Sequence, residues 1–135
     1  MAWVVDTSIL LDICLPYPNF AQASAQCLKD HFVDGLVIPP VVFIELAPAF
    51  RGDRSLQEQF LRQVGVQWTD AWLWQDTEQA HRIWAEYIAR KRAGQATKRP
   101  FVDVLIEAFS HRFQGLITRN PKHFPSIATV DPTKS

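Results

Sequence analysis

Trp3-Val4-Val5-Asp6-Thr7-Ser8-Ile9-Leu10-Leu11 is the stretch that decides the fold. Trp3-Val4-Val5 is a short continuous apolar run that stops at a carboxylate, as a strand buried on both faces does. Ile9 to Leu15 carries on apolar until Pro16 and Pro18 break the chain. Further along, the same unit recurs. Ala21 to Val33 is helical by composition and ends at Asp34-Gly35, and Leu36-Val37-Ile38 is a second strand closed by Pro39-Pro40. Pro40 suits the first turn of a helix with its body at Val41 to Phe50, and Pro48 is expected to distort the last turn.

Leu56 to Val64 reads as the next helix and Val66 to Thr69 as a third strand. Asp76 to Arg92 is the longest helix, acidic where it opens and basic at Arg90-Lys91-Arg92, the charge order a helix dipole favours. A polar, basic loop at Gly94 to Pro100 leads to a helix at Phe101 to Phe113, with Val102, Leu105, Ile106 and Phe109 on one face. Leu116-Ile117-Thr118 is a fourth strand and Ala128-Thr129-Val130 a candidate fifth. Short apolar strands alternating with helices predict an α/β/α arrangement around a mainly parallel sheet of four to five strands. Such sheets take ligands at the carboxyl ends of their strands, and Asp6 and Asn120 both fall just past a predicted strand.

The chain has 135 residues, enough for one domain, taken as 1–135, with a single sizeable core. At 47% apolar and 21% charged it excludes disorder, a coiled coil and a collagenous chain. Fourteen basic and fourteen acidic residues cancel, so any contact with nucleic acid must come from a local patch. No apolar run approaches the ~20 residues of a membrane helix. The start, Met1-Ala2-Trp3, carries neither a basic leader nor a small-residue cleavage site, and Cys14 and Cys27 form no CxxC. A cytoplasmic protein with two free thiols is expected.

Three carboxylates stand out. Asp6 is either the N-cap of the following helix or a partnered carboxylate at the edge of the core. Glu45 lies in Val41-Val42-Phe43-Ile44-Glu45-Leu46-Ala47, the only charge between Asp34 and Arg51, which weakens its reading as one of several residues on a solvated face. Asp103 and Glu107 are one turn apart on the side opposite the apolar stripe. An acidic first turn with a solvated Glu107 is the plainer reading of that pair.

Together these segments resemble the PIN-domain family, and within it the VapC-like toxins of bacterial and archaeal toxin–antitoxin pairs. The resemblance runs through Val4 to Leu11, Ile38-Pro39-Pro40 to Glu45-Leu46, Asp103-Val104-Leu105-Ile106-Glu107-Ala108, and Leu116-Ile117-Thr118-Arg119-Asn120-Pro121-Lys122-His123-Phe124, in order and over essentially the whole chain. It implies a PIN-like fold in which Asp6, Glu45 and Asp103 bind Mg²⁺ or Mn²⁺, with Thr7, Ser8 and Thr118 as supporting hydroxyls. The fourth family position, often aspartate, is Asn120 here, whose amide oxygen can ligate a hard cation without adding charge. Glu107, one turn from Asp103, is a candidate to compensate. The implied activity is a metal-dependent endoribonuclease leaving a 5′-phosphate and a 3′-hydroxyl. Its implied partners are RNA, an antitoxin whose C-terminal segment enters the site, and a second copy in a homodimer or toxin–antitoxin heterotetramer.

The chemistry agrees with such a site. Two carboxylates ~4 Å apart repel by about 4 kcal/mol at an effective dielectric of ~20, so three acids together call for a cation or shared protons. Oxygen-only ligands suit Mg²⁺ or Mn²⁺, which can activate water for attack on a phosphodiester. Arg90 to Arg92, Lys98, Arg99, Arg119 and Lys122 are candidates to grip RNA phosphates, Arg119 above the others because it adjoins Asn120. The four histidines show no zinc spacing. Trp68, Trp72 and Trp74 suit core or subunit packing better than base stacking. Two other readings remain: an RNA-binding domain of the same fold without catalysis, and an interaction module whose acidic cleft docks a basic peptide.

Overall fold

The computed structural model describes residues 1–15 and 17–134, so the proline break expected at Pro16 lies outside the described residues. Strands β1 (Trp3–Val5), β2 (Leu36–Val37), β3 (Val66–Gln67), β4 (Gly115–Ile117) and β5 (Thr129–Val130) form one sheet in the order β3-β2-β1-β4-β5. Every pairing is parallel. Helices α1 (Thr7–Cys14), α2 (Ala21–His31), α3 (Pro40–Glu45), α4 (Arg54–Gln63), α5 (Trp74–Arg92) and α6 (Phe101–Ser110) supply the crossovers. The result is the three-layer, PIN-like α/β/α fold.

β1 is central because it is apolar throughout and needs cover on every side. Val4 and Val5 are fully buried, with Leu116 and Ile117 of β4 on one flank and Leu36 and Val37 of β2 on the other. Ile9 and Leu10 of α1, Leu61 of α4, and Ile106 and Phe109 of α6 complete the core. Gly115 lets β4 start there: a Cβ at that position would lie 2.4 Å from the Ala128 carbonyl oxygen and 2.7 Å from the Trp3 ring.

Several element ends differ from the sequence reading. The helix expected over Val41 to Phe50 leaves α geometry after Glu45 and finishes as a 3₁₀ turn at Ala47–Phe50, which contains Pro48. α6 ends at Ser110 rather than Phe113, and β3 stops at Gln67. α5 begins two residues earlier than expected, where Asp76 Oδ2 accepts from the Leu73 N–H at 2.8 Å. Trp68 and Trp72 pack against the core as expected, whereas Trp74 is exposed. Cys14 and Cys27 are free thiols. Among the described residues, no helix is long and apolar enough to cross a membrane.

Candidate active site

Strand order reverses at β1: β2 and β3 lie to one side, β4 and β5 to the other. Open parallel sheets take their ligands beyond the carboxyl ends of the strands at such a reversal. Asp6 is the first residue beyond β1, and its N–H donates to the Ile117 carbonyl at 3.0 Å, which fixes it against the end of β4. It occupies the N-cap position of α1 with extended backbone, yet its side chain makes no cap bond. Instead Oδ2 accepts from Thr118 Oγ1 at 2.8 Å and from Ser8 Oγ at 3.2 Å. Thr118 Oγ1 in turn accepts from the Asn120 N–H at 3.0 Å.

Burial pushes the Asp6 carboxyl up from 3.8 to about 6. The negative charge of Asp103 adds to that rise, while the hydroxyls of Thr118 and Ser8 and the Thr7 N–H pull against it. Asp103 is half-buried in the first turn of α6, and His123 Nδ1 lies 3.0 Å from its Oδ2, in reach to donate. Glu45, at the C-terminal end of α3, is exposed, as its solvated reading held. Even so its Oε1 accepts from Thr7 Oγ1 at 2.5 Å, which ties it to the residue after Asp6. Asn120, in the loop beyond β4, is exposed.

Whether these groups suit a divalent cation can be judged from what surrounds them. The donors are all oxygens, the set that hard cations take. Among the described residues neither Asp6 nor Glu45 has a basic partner, although Asp6 is buried and faces the charge of Asp103. Among the same residues no three His, Cys, Asp or Glu side chains form a ready-made metal cage. Mg²⁺ does not need one, since it keeps several waters and is typically held by one or two carboxylates together with substrate phosphate. The oxygen donors of Asp6 and Asp103 therefore suit a hydrated divalent cation.

Three sequence expectations change. Glu107 is neither solvated nor a substitute ligand. It is fully buried, with Oε1 accepting from Arg99 Nη1 at 3.0 Å and Oε2 from the N–H and hydroxyl of Ser126 at 2.8 and 2.7 Å. Arg99 is correspondingly withdrawn from solvent as the partner of Glu107. Arg119 does not reach for phosphate either: Nε and Nη2 grip Asp12 at 2.7 and 3.0 Å, and the guanidinium lies 4.0 Å from the centre of the Phe20 ring. Asp12, fully buried in α1, also accepts from Ser24. Lys98 and Lys122 are exposed.

Sequence reasoning missed His123 as the neighbour of Asp103 and Asp12 as the buried counter-charge of Arg119. A signal for the second was present. Asp12 is the one charge inside the apolar run Ile9 to Leu15, and a charge on a buried helix demands a partner.

No protein-family model and no curated protein matches this sequence. Solved structures do resemble it. A chain of a toxin–antitoxin complex from Klebsiella pneumoniae superposes with a TM-score of 0.67 at 20% identity, covering 99% of this chain and 100% of that one. A chain of VapBC2 from Rickettsia felis, bound to a DNA fragment from the promoter, superposes with a TM-score of 0.72 at 15% identity, over 96% of this chain and 98% of that one. The chain thus shares, end to end, a fold found in toxin–antitoxin complexes.

Proposed function

We propose that this protein is a VapC-like toxin, a metal-dependent endoribonuclease that hydrolyses phosphodiester bonds and is held silent by a cognate antitoxin. The observation that carries the reading is Asp6, a buried carboxyl at the strand-order reversal, facing Asp103 and lacking a cation partner among the described residues. The shared fold of toxin–antitoxin chains supports the choice of partner.

In this reading Asp6 and Asp103 would hold Mg²⁺ or Mn²⁺, with Glu45 and Asn120 as further oxygen donors. The ion, when bound, offsets the carboxylate charge and lowers the pKa of a water for in-line attack on phosphorus. The chain's own residues prepare that arrangement. Thr118 and Ser8 orient Asp6 and favour its ionised form, Thr7 holds Glu45, and His123 holds Asp103. The antitoxin is expected to cover the apolar groove of about 590 Å³ between α3, α5 and α6, where Ile44, Trp84 and Phe101 stand beside the residues that carry Glu45 and Asp103. A homodimer or toxin–antitoxin heterotetramer in the cytoplasm is the corresponding assembly.

The test is cleavage of total and transfer RNA by protein freed of any partner, with Mn²⁺ and with EDTA, beside Asp103→Asn. Discrete fragments that vanish with EDTA and in the variant support the reading. Equal cutting by both proteins overturns it. Asn120, where the family position is often aspartate, favours a second reading, RNA binding without cleavage. Calorimetric titration with Mn²⁺ separates the two, because only the nuclease needs to bind the metal.

A further inference from the structure

We infer that the cleft beside the carboxylates, walled by the end of α5, the loop that follows it and the 3₁₀ turn Pro121–His123, is a binding subsite for a backbone phosphate of single-stranded RNA next to the scissile bond. The inference rests on the ribonuclease reading above for the identity of the anion.

This cavity has a volume of about 460 Å³, and Arg90, Lys98, Arg99, Lys122 and His123 line it with no acidic side chain among them. Such a concentration of one sign is conspicuous in a chain whose fourteen basic and fourteen acidic residues cancel. Whereas Arg99 and His123 pair with Glu107 and Asp103 and five further pairs lie outside the cleft, Arg90, Lys98 and Lys122 form no ion pair among the described residues. Their charges are therefore not spent on holding the fold.

Arg99 makes the wall a built one. Its side chain is 9% exposed, Glu107 holds Nη1, and the guanidinium lies 6.0 Å from the centre of the Phe124 ring. Among the described residues, Nε and Nη2 find no hydrogen-bond partner. Buried donors of a charged group are costly to leave unmet, so Arg99 keeps positive charge behind the wall of the cleft that an oxyanion there offsets. Tyr87 fixes the loop by accepting the Arg99 N–H at its Oη, 2.8 Å away. His123 joins the two sites: it lines the cleft while its Nδ1 contacts Asp103. A strand of RNA with one phosphate at Asp6 and Asp103 thus meets positive charge at the adjoining phosphate.

The test measures binding without cleavage. Fluorescence anisotropy of a labelled single-stranded RNA is followed in EDTA over a series of salt concentrations. Wild type is compared with Lys98→Ala/Lys122→Ala and with a control that removes two distant exposed charges, Lys29→Ala/Arg54→Ala. Both lysines are exposed and unpaired, so the variant is expected to fold, whereas Arg99 is left intact because Glu107 depends on it. In the lysine variant the salt slope should fall by roughly 1.4, at about 0.7 per phosphate contact, and affinity should drop about tenfold at low salt. The control should match wild type. Equal losses in both variants, or in neither, would overturn the subsite. So would displacement of RNA by polyglutamate at equal charge concentration, since that describes a dock for an acidic peptide. Because EDTA removes the metal, loss of Mn²⁺-dependent cleavage would defeat the nuclease reading and leave this binding result readable on its own.

Discussion

The Thr118 hydroxyl donates to Asp6 Oδ2 at 2.8 Å and accepts from the Asn120 N–H at 3.0 Å, so one buried side chain ties the end of β1 to the loop beyond β4. Strand β1 lies over a hundred residues earlier in sequence. This bond is the largest influence opposing the burial that raises Asp6. Thr118→Val keeps the shape and removes it. The Asp6 carboxyl should then titrate above its value of about 6, and the acid limb of the cleavage profile should move to higher pH. Stability should fall by about 1–3 kcal/mol, the cost of leaving a buried acceptor short of a donor. Thr118→Ser restores the hydroxyl and should return the acid limb to its original position. A profile that ignores both substitutions would separate Asp6 from the chemistry.

Asp6 also makes a prediction about the fold itself. Its folded-state pKa, about 6, lies above the ordinary 3.8, so the folded state binds the proton more tightly than the unfolded chain. Stability should therefore fall as pH rises from about 4 to 6 and stay reduced above that, by on the order of 3 kcal/mol in the absence of metal. Asp6→Asn removes this penalty while keeping an oxygen to accept from Thr118. Urea unfolding in EDTA should find the variant more stable than wild type at pH 8 and close to it at pH 4. A variant less stable than wild type at pH 8 would mean that the ionised carboxylate is well solvated where it sits.

The order of strands and helices was readable because each strand is too short and too apolar to be anything but buried, as Val4-Val5 and Leu116-Ile117 show. Element ends were less readable where tertiary bonds decide them. α5 begins at Trp74 because Asp76 reaches back to Leu73, a contact that composition does not encode. In the site, Asp6, Thr7, Ser8, Glu45, Asp103 and Thr118 were all named from sequence; the structure bonds Ser8 and Thr118 to Asp6 and Thr7 to Glu45, while Asp103 contacts His123 instead. What sequence misjudged were the charges that pair inside. Arg119 and Arg99 read as surface cations because their partners, Asp12 and Glu107, lie 107 and 8 residues away and only the fold brings them together. Proximity in sequence to Asn120 said nothing about where the Arg119 side chain turns.

That correction is itself testable. Arg119 is the counter-charge of Asp12, which is fully buried. Arg119→Ala leaves a carboxylate inside the protein with only Ser24 to serve it, and should cost about 3–5 kcal/mol in urea unfolding. Replacing both partners by apolar residues, Asp12→Leu with Arg119→Met, should recover most of that loss, because no charge then remains to desolvate. If Arg119→Ala instead weakened RNA binding and left the unfolding midpoint unmoved, the arginine would be a phosphate contact after all.

Divalent metal should reverse the penalty at Asp6. A cation that binds the folded protein stabilises it by about 2.7 kcal/mol when its concentration is a hundred times Kd. Wild type at pH 8 should therefore gain thermal stability with Mn²⁺, and Asp6→Asn should gain much less. The effect should weaken below the Asp6 value of about 6, since each proton bound there competes with the metal. Below that pH, apparent affinity for Mn²⁺ should drop by up to tenfold per pH unit. Calcium at the same concentration is a useful comparison, because it accepts looser oxygen geometry and more ligands than Mn²⁺ or Mg²⁺. Equal stabilisation of wild type and Asp6→Asn by Mn²⁺ would place the metal elsewhere on the protein.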